Sequence, residues 1–284
     1  MPAPLVLPIL AILGAMLSIQ FGAALAKGLF ESIGPVSATL LRLWLATVLL
    51  ALLHRPWRGA PLRGRWPMLL GYGAAMGFMN LCFYLALQRI PMGIVVAIEF
   101  LGPLGVAIAT SHRRLDALWV TLAITGLLLL LPWQANDVPL DAVGVAFAVL
   151  AGAGWALYIL FGSRTGQAEG GRTVALGMLM GAVAISPTAL WVAPPQLLDG
   201  AALPLALAIA VLSSALPYTL EMYALTRLPN NVFSLFMSVE PALAALMGMM
   251  VLHEQLTVLQ GLAIACVMGA SFGSALASRR GGRT

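Results

Sequence analysis

Ten apolar runs, at about 5–26, 35–53, 67–88, 93–111, 115–132, 141–161, 173–193, 203–226, 230–251 and 256–277, take up nearly the whole chain. That pattern leaves few folds open. In hydrocarbon every backbone N–H and C=O must be satisfied within the chain, so only helices and closed barrels can span. A spanning helix needs about 20 apolar residues and a barrel strand about half that, so these runs read as helices. The sequence is 61% hydrophobic and 9% charged, against about 25% charged in a soluble domain. The expectation is an all-α membrane protein with ten transmembrane helices. The N-terminus lacks a basic region and a cleavage site and reads as the first spanning helix. Cys82 and Cys266 fall inside apolar runs, which gives neither a disulfide framework nor a metal site.

The arginines set an orientation. With the N-terminus inside, Arg55, Arg58, Arg63, Arg65, Arg113, Arg114, Arg164, Arg172, Arg279, Arg280 and Arg283 are placed on the cytoplasmic side. Lys27, Arg89 and Arg227 are placed opposite, with the acids Glu31, Asp137, Asp141 and Asp199. Such a bias puts both termini in the cytoplasm. It also accounts for the net charge of +5 without nucleic acid as a partner. Trp57, Trp66, Trp133 and Trp191 suit interfacial anchoring. His54, His112 and His253 are all read at cytoplasmic helix ends, away from any proton path through the membrane.

The chain repeats itself. Ala86-Leu-Gln-Arg-Ile-Pro91 matches Ala224-Leu-Thr-Arg-Leu-Pro229, and without gaps Pro103 then meets Pro241. Each unit holds five helices, residues 1–136 and 137–284. Five is odd, so the second copy enters from the opposite side. Inverted repeats of this kind place a binding site near the midplane, at their interface. Glycine pairs Gly73/Gly77, Gly177/Gly181 and Gly269/Gly273 allow close helix contact. Packing within a monomer is the first reading, and a homodimer through the last pair is the alternative.

Ionisable groups in the runs are costly against lipid, by several kcal/mol each, so Arg42, Glu99, Glu221 and Glu240 belong in the protein interior or a wet cavity. Glu221 is read near the outer end of the eighth helix and Glu240 near the middle of the ninth. Glu99 aligns with Met237 in the repeat, and Gly102 with Glu240, so each half puts one carboxylate on the same face of its fourth helix. Asn80, Phe83, Tyr84 and Leu87 align with Tyr218, Glu221, Met222 and Leu225 as matching stripes. Two structural roles compete: an ion pair of Glu99 or Glu221 with Arg42, and a kink at Pro241 that Glu240 satisfies. Further candidates are Gln20 with Ser18, Trp155, Tyr158 and Ser238. Asn230 and Asn231 suit a helix cap, and a backbone carbonyl is the alternative partner for Ser238, one turn from Ser234. Phosphate-loop, metalloprotease and serine-hydrolase motifs are absent, so no enzyme, metal or cofactor is expected.

Several segments resemble the drug/metabolite transporter superfamily with EamA-type repeats, and within it the amino-acid exporter branch. They are Ser18-Ile-Gln-Phe-Gly-Ala-Ala-Leu-Ala-Lys27, Leu41-Arg-Leu43 with Arg55-Pro-Trp-Arg58, Arg89-Ile-Pro-Met-Gly93 with Glu99-Phe-Leu-Gly-Pro103, Ala215-Leu-Pro-Tyr-Thr-Leu-Glu-Met222, and Met237-Ser-Val-Glu-Pro-Ala242. The resemblance implies an inner-membrane exporter of neutral amino acids, threonine- or homoserine-like and extending to methionine and aromatic ones. It implies alternating access, with lipid and a small-molecule substrate as partners. Gln20, Asn80, Tyr218, Glu221, Ser238 and Glu240 would meet polar groups. Trp155, Tyr158, Tyr84 and Met237 would form walls, and Glu240, Glu99 and Arg42 would bind or couple charge. Export of cationic drugs or other metabolites by the same fold is the alternative.

Overall fold

A computed structural model describes residues 6–58, 66–109, 116–129, 140–165, 171–192, 194, 200–225, 227–228 and 230–281. Arg63, Arg65, His112, Arg113, Arg114, Trp133, Asp137, Asp199 and Arg283 lie outside the described residues. So do the side chains of Arg164, Met222, Leu225, Asn230, Asn231, Ser234, Arg279 and Arg280. Among the described residues the structure is helical, with no strand.

The first three apolar runs form α1 (Val6–Lys27), α2 (Phe30–His54) and α3 (Trp66–Leu87). α2 bends at Gly34, whose φ of 74° is open to glycine, and its straight part starts at Pro35. The fourth run is not one helix. It divides into α4 (Met92–Glu99) and α5 (Leu101–Ala109), with Phe100 as the joint. α6 (Asp116–Leu129), α7 (Ala142–Thr165) and α8 (Gly171–Trp191) follow. The eighth run starts as α9 (Leu203–Ala210), loosens into a π-helical turn at Val211–Ala215, and continues as α10 (Leu216–Leu225). The ninth run is also broken, into α11 (Asn230–Met237) and α12 (Glu240–Val251). α13 (Val258–Gly281) ends the fold.

The two broken runs carry the repeat into three dimensions. The gapless register that aligns Pro91 with Pro229 also aligns Met92 with Asn230 and Glu99 with Met237. Those are the first and last residues of α4 and of α11. Pro241 opens α12 at a position where a missing N–H costs nothing, so it starts a helix instead of kinking a continuous one.

Glycines set how closely these helices approach. In α3 and α8, a Cβ added at Gly77 would lie 2.6 Å from the Gly181 carbonyl oxygen, and one at Gly73 2.8 Å from that of Gly177. These two predicted glycine pairs therefore meet each other. The third faces α6, with Gly269 against Leu122 and Gly273 against Trp119, so α6 fills that face within the chain.

Contacts at the helix ends correct part of the charge map. Lys27 pairs with Glu254 at 2.7 Å, and Arg89 with Asp141 at 2.9 Å. The Arg89 guanidinium, helped by the N–H groups of Val143 and Gly144, holds the Asp141 carboxyl below the usual carboxylate range. Arg172 Nε donates to the Pro56 carbonyl at the opposite end. Leu228 and Ala224 pack with Ile9, Ala11 and Ile12 near the start of α1. Arg227 thus sits at the arginine-rich end and not beside Lys27, and Glu221 is in that half of the molecule. His253, adjoining Glu254, is at the Lys27 end and not the arginine-rich one. The reason is parity: eight crossings return the chain to its starting side. Moving Arg227 strengthens the bias.

Candidate functional site

The middle of the bundle holds a cavity of about 310 Å³, at the lower limit for small-molecule sites. Gln20 reaches it from α1, Arg42 from α2, Asn80 from α3, Glu99 from α4, Trp155 and Tyr158 from α7. Tyr218 and Glu221 reach it from α10, Met237 from α11 and Glu240 from α12. Gln20 and Glu240, 220 positions apart in sequence, therefore line one cavity.

Two of the expected wall residues, Tyr84 and Ser238, stand elsewhere. Tyr84 is fully buried behind the wall. Its ring lies 5.0 Å from the Arg42 guanidinium carbon and 5.4 Å from the Phe30 ring, so it backs Arg42 from behind. Ser238 is buried in the joint between α11 and α12 and is absent from the cavity lining. Tyr84 stands on the predicted stripe, but a helix face also includes residues turned toward a neighbouring helix, and Ser238 falls in a break between helices.

Arg42 is held by neutral partners. Its Nη1 donates to Ser213 Oγ at 3.1 Å and its Nη2 donates to Asn80 Oδ1. Each partner is itself anchored, Asn80 Nδ2 donating to the Met76 carbonyl and Ser213 Oγ to that of Ile209. Among the described residues no carboxylate lies within ion-pair distance of Arg42, so the competing structural role, a pair with Glu99 or Glu221, is not formed. Among the described residues Arg42 Nε–H has no hydrogen-bond partner. Ser213 is not among the residues the sequence singles out. Its one signal is Ser213-Ser214 inside an apolar run, and the π-helical turn supplies the offset that aims it at Arg42.

The acids sit at the helix breaks. Glu240 is the first residue of α12, where the positive end of the helix dipole faces a carboxylate. Gln20 Nε2 donates to Glu240 Oε1 at 3.0 Å, leaving Glu240 Oε2 and Gln20 Oε1 without partners among the described residues. Glu99 is the last residue of α4, the negative end of its helix. It lies within electrostatic reach of Glu240 and Arg42. Aromatic pairs stiffen the walls. Trp155 packs edge-on to Phe100, centroids 5.3 Å apart. Tyr158 stacks on Tyr72, whose hydroxyl donates to it at 3.0 Å.

The cavity is sealed at one end. Toward Lys27 lie the buried Leu29, Phe30, Ile33, Leu87 and Met92. α4 lies against α12 so closely that a Cβ on Gly93 would sit 2.7 Å from that of Ala245. Glu254 adds a clamp: one carboxylate oxygen accepts from Lys27 and the other accepts from the N–H of Met92, at 2.8 Å, capping α4 from another part of the chain. At the arginine-rich end the lining extends to Val174 and Phe233, each the fourth residue of its helix. There α5 and α11, the repeat counterparts of α12 and α4, have no comparable packing among the described residues.

Broken helices meeting at a charged midplane cavity, sealed on one side, define a secondary transporter. The chain belongs to the EamA-like transporter family, whose pattern matches residues 6–131 and 142–276. It is 49% identical over 277 residues to the threonine/homoserine exporter RhtA of Salmonella typhimurium strain LT2, covering 98% of this chain and 94% of that one. The threonine/homoserine exporter RhtA of Escherichia coli K12 is 48% identical over the same share. A crystal structure 16% identical in sequence has the same fold, with a TM-score of 0.63 over 95% of this chain and 98% of that one.

Proposed function

We propose that this protein exports neutral amino acids of the threonine and homoserine type across the inner membrane, with both termini cytoplasmic and the repeats dividing at 136/137. The carrying observation is the cavity itself. It is lined by carboxylates and an arginine, is closed at the Lys27 end, and reaches toward the arginine-rich end. With the arginine-rich end cytoplasmic, substrate loads from inside, as export requires. The near-full-length likeness to threonine/homoserine exporters supports the substrate class. Neither ATP drive nor bond-making chemistry is part of the reading.

Alternating access then means opening the Lys27 end while α5 and α11 close on each other. The Glu254 clamp must break in that step. Glu254→Gln weakens the Lys27 pair and the cap on α4 together, so the outward-open state gains population. A single cysteine introduced at Ala23, on the cavity wall, is then labelled faster by an impermeant thiol reagent from the Lys27 side, by roughly three- to tenfold for about 1 kcal/mol. Unchanged labelling removes the clamp from the gate.

A second reading has one observation in its favour: Glu99, Glu221 and Glu240 outnumber Arg42 at the wall, which suits a cationic drug. Counterflow into liposomes, with a panel of amino acids and quaternary ammonium compounds, separates the two. Threonine and homoserine exchanging while the ammonium compounds do not supports amino-acid export. The reverse result overturns it. A pH gradient across the same liposomes tests proton exchange through Glu240 or Glu99.

A further inference from the structure

We infer that the cavity recognises a zwitterion by two fixed poles, Arg42 for the substrate carboxylate and the Gln20–Glu240 pair for its ammonium. The inference rests on the amino-acid reading above and names the groups that would do the selecting.

The argument starts from unmet bonding capacity. Buried polar groups are nearly always hydrogen-bonded, and each exception needs a reason. In this cavity the exceptions are complementary. On one side Glu240 Oε2 and Gln20 Oε1 are both unpartnered acceptors, held together by the single bond between Gln20 Nε2 and Glu240 Oε1. An ammonium carries three N–H donors and no acceptor, so it suits two adjacent acceptors, one of them charged. On the other side Arg42 Nε–H is an unpartnered donor. Its two Nη atoms are fixed by Asn80 and Ser213, so the guanidinium cannot swing away to find another acid. A guanidinium edge takes a carboxylate well. Gln20, Arg42 and Glu240 are 1%, 6% and 5% exposed, and all three line the cavity.

An alternative use of Arg42 is to neutralise the neighbouring acids. The geometry does not favour it, since the contacts of Arg42 are an amide, a hydroxyl and the Tyr84 ring. Each pole sits on a different repeat interface: Arg42 is held between α2, α3 and the π-helical turn, while Gln20 and Glu240 join α1 to α12. A ligand bound to both poles therefore ties the elements that frame the two sides of the cavity. A ligand carrying one charge satisfies one pole and leaves the other buried and empty.

The test compares three probes on the full-length protein in detergent, with binding measured by calorimetry. L-Threonine carries both charges, L-threoninol the ammonium alone, and 3-hydroxybutyrate the carboxylate alone. Wild type is expected to bind threonine at least about tenfold more tightly than either single-charge probe, each pole being a charge-assisted contact. Arg42→Gln is expected to erase the preference for threonine over threoninol while retaining threoninol. Glu240→Gln is expected to erase the preference over 3-hydroxybutyrate. The readout is a ratio within one protein, so a general loss of folded material does not imitate it. If Arg42→Gln cannot be purified, Arg42→Lys serves, with the threonine preference reduced but kept. A threonine-to-threoninol ratio unchanged in the Arg42 variant overturns the assignment while leaving amino-acid export intact. A wild type that binds threoninol and not threonine overturns export of amino acids as well.

Discussion

Glu240→Gln is expected to cut amino-acid counterflow at least about tenfold while the protein still inserts and purifies normally. The substitution keeps volume and the bond to Gln20, whose amide can turn to accept instead of donate, and removes only charge. A charge-assisted contact to the substrate is worth about 1.5–3 kcal/mol, which is roughly ten- to a hundredfold in affinity or rate. Glu240 differs from the other acids in its setting. It opens α12, so the helix dipole stabilises its anion, and Pro241 behind it keeps that helix start in place. Glu99, at the negative end of α4, has no such support, and Glu99→Gln is the informative comparison. Flux is measured in liposomes at matched protein content. Full flux from a correctly folded Glu240→Gln would exclude it from substrate binding and from coupling.

The second large effect concerns assembly. Gly77→Val is expected to destabilise the bundle by roughly 3 kcal/mol or more, because overpacking here cannot relax through a flexible side chain. A Cβ at Gly77 would meet the Gly181 carbonyl oxygen at 2.6 Å and its Cα at 2.9 Å. Both are backbone atoms of α8, so the helices themselves must separate. α3 also packs along α7, so the shift would reach the wall that carries Asn80 and Trp155. Gly105→Ala is the control, since among the described residues nothing lies within 4 Å of a Cβ there. Thermal unfolding in detergent reads the difference. A Gly77→Val protein that melts with wild type would show that α3 and α8 part at little cost.

Much of the site is legible in the sequence because charge in an apolar run has few explanations. Gln20, Arg42, Glu99, Glu221 and Glu240 are visible as interruptions, and all five reach the cavity. Orientation within a face is harder to read. Tyr84 lies on the same helix stripe as Asn80 and Phe83, yet it backs Arg42 while they line the cavity. Ser213 depends on a π-helical turn that no residue pattern announces. The breaks at Phe100 and before Glu240 are signalled only by Pro103 and Pro241. A proline marks where a helix is weak, without saying whether it bends or restarts.

Apolar runs, charge bias and a repeat of odd helix count determined the class of fold from the sequence alone. Each follows from the cost of exposing polar groups to lipid, a cost set residue by residue. Only the tertiary structure decided which polar groups are paired. Gln20 and Glu240 stand 220 positions apart, and nothing in their local sequence links them. Glu254 caps α4 across 162 positions. Pairing depends on where separate helices cross, and the crossings are set by glycine contacts such as Gly77 on Gly181. The same crossings decided that the cavity closes at the Lys27 end, because α4 packs along α12 while, among the described residues, its counterpart α11 has no comparable packing with α5.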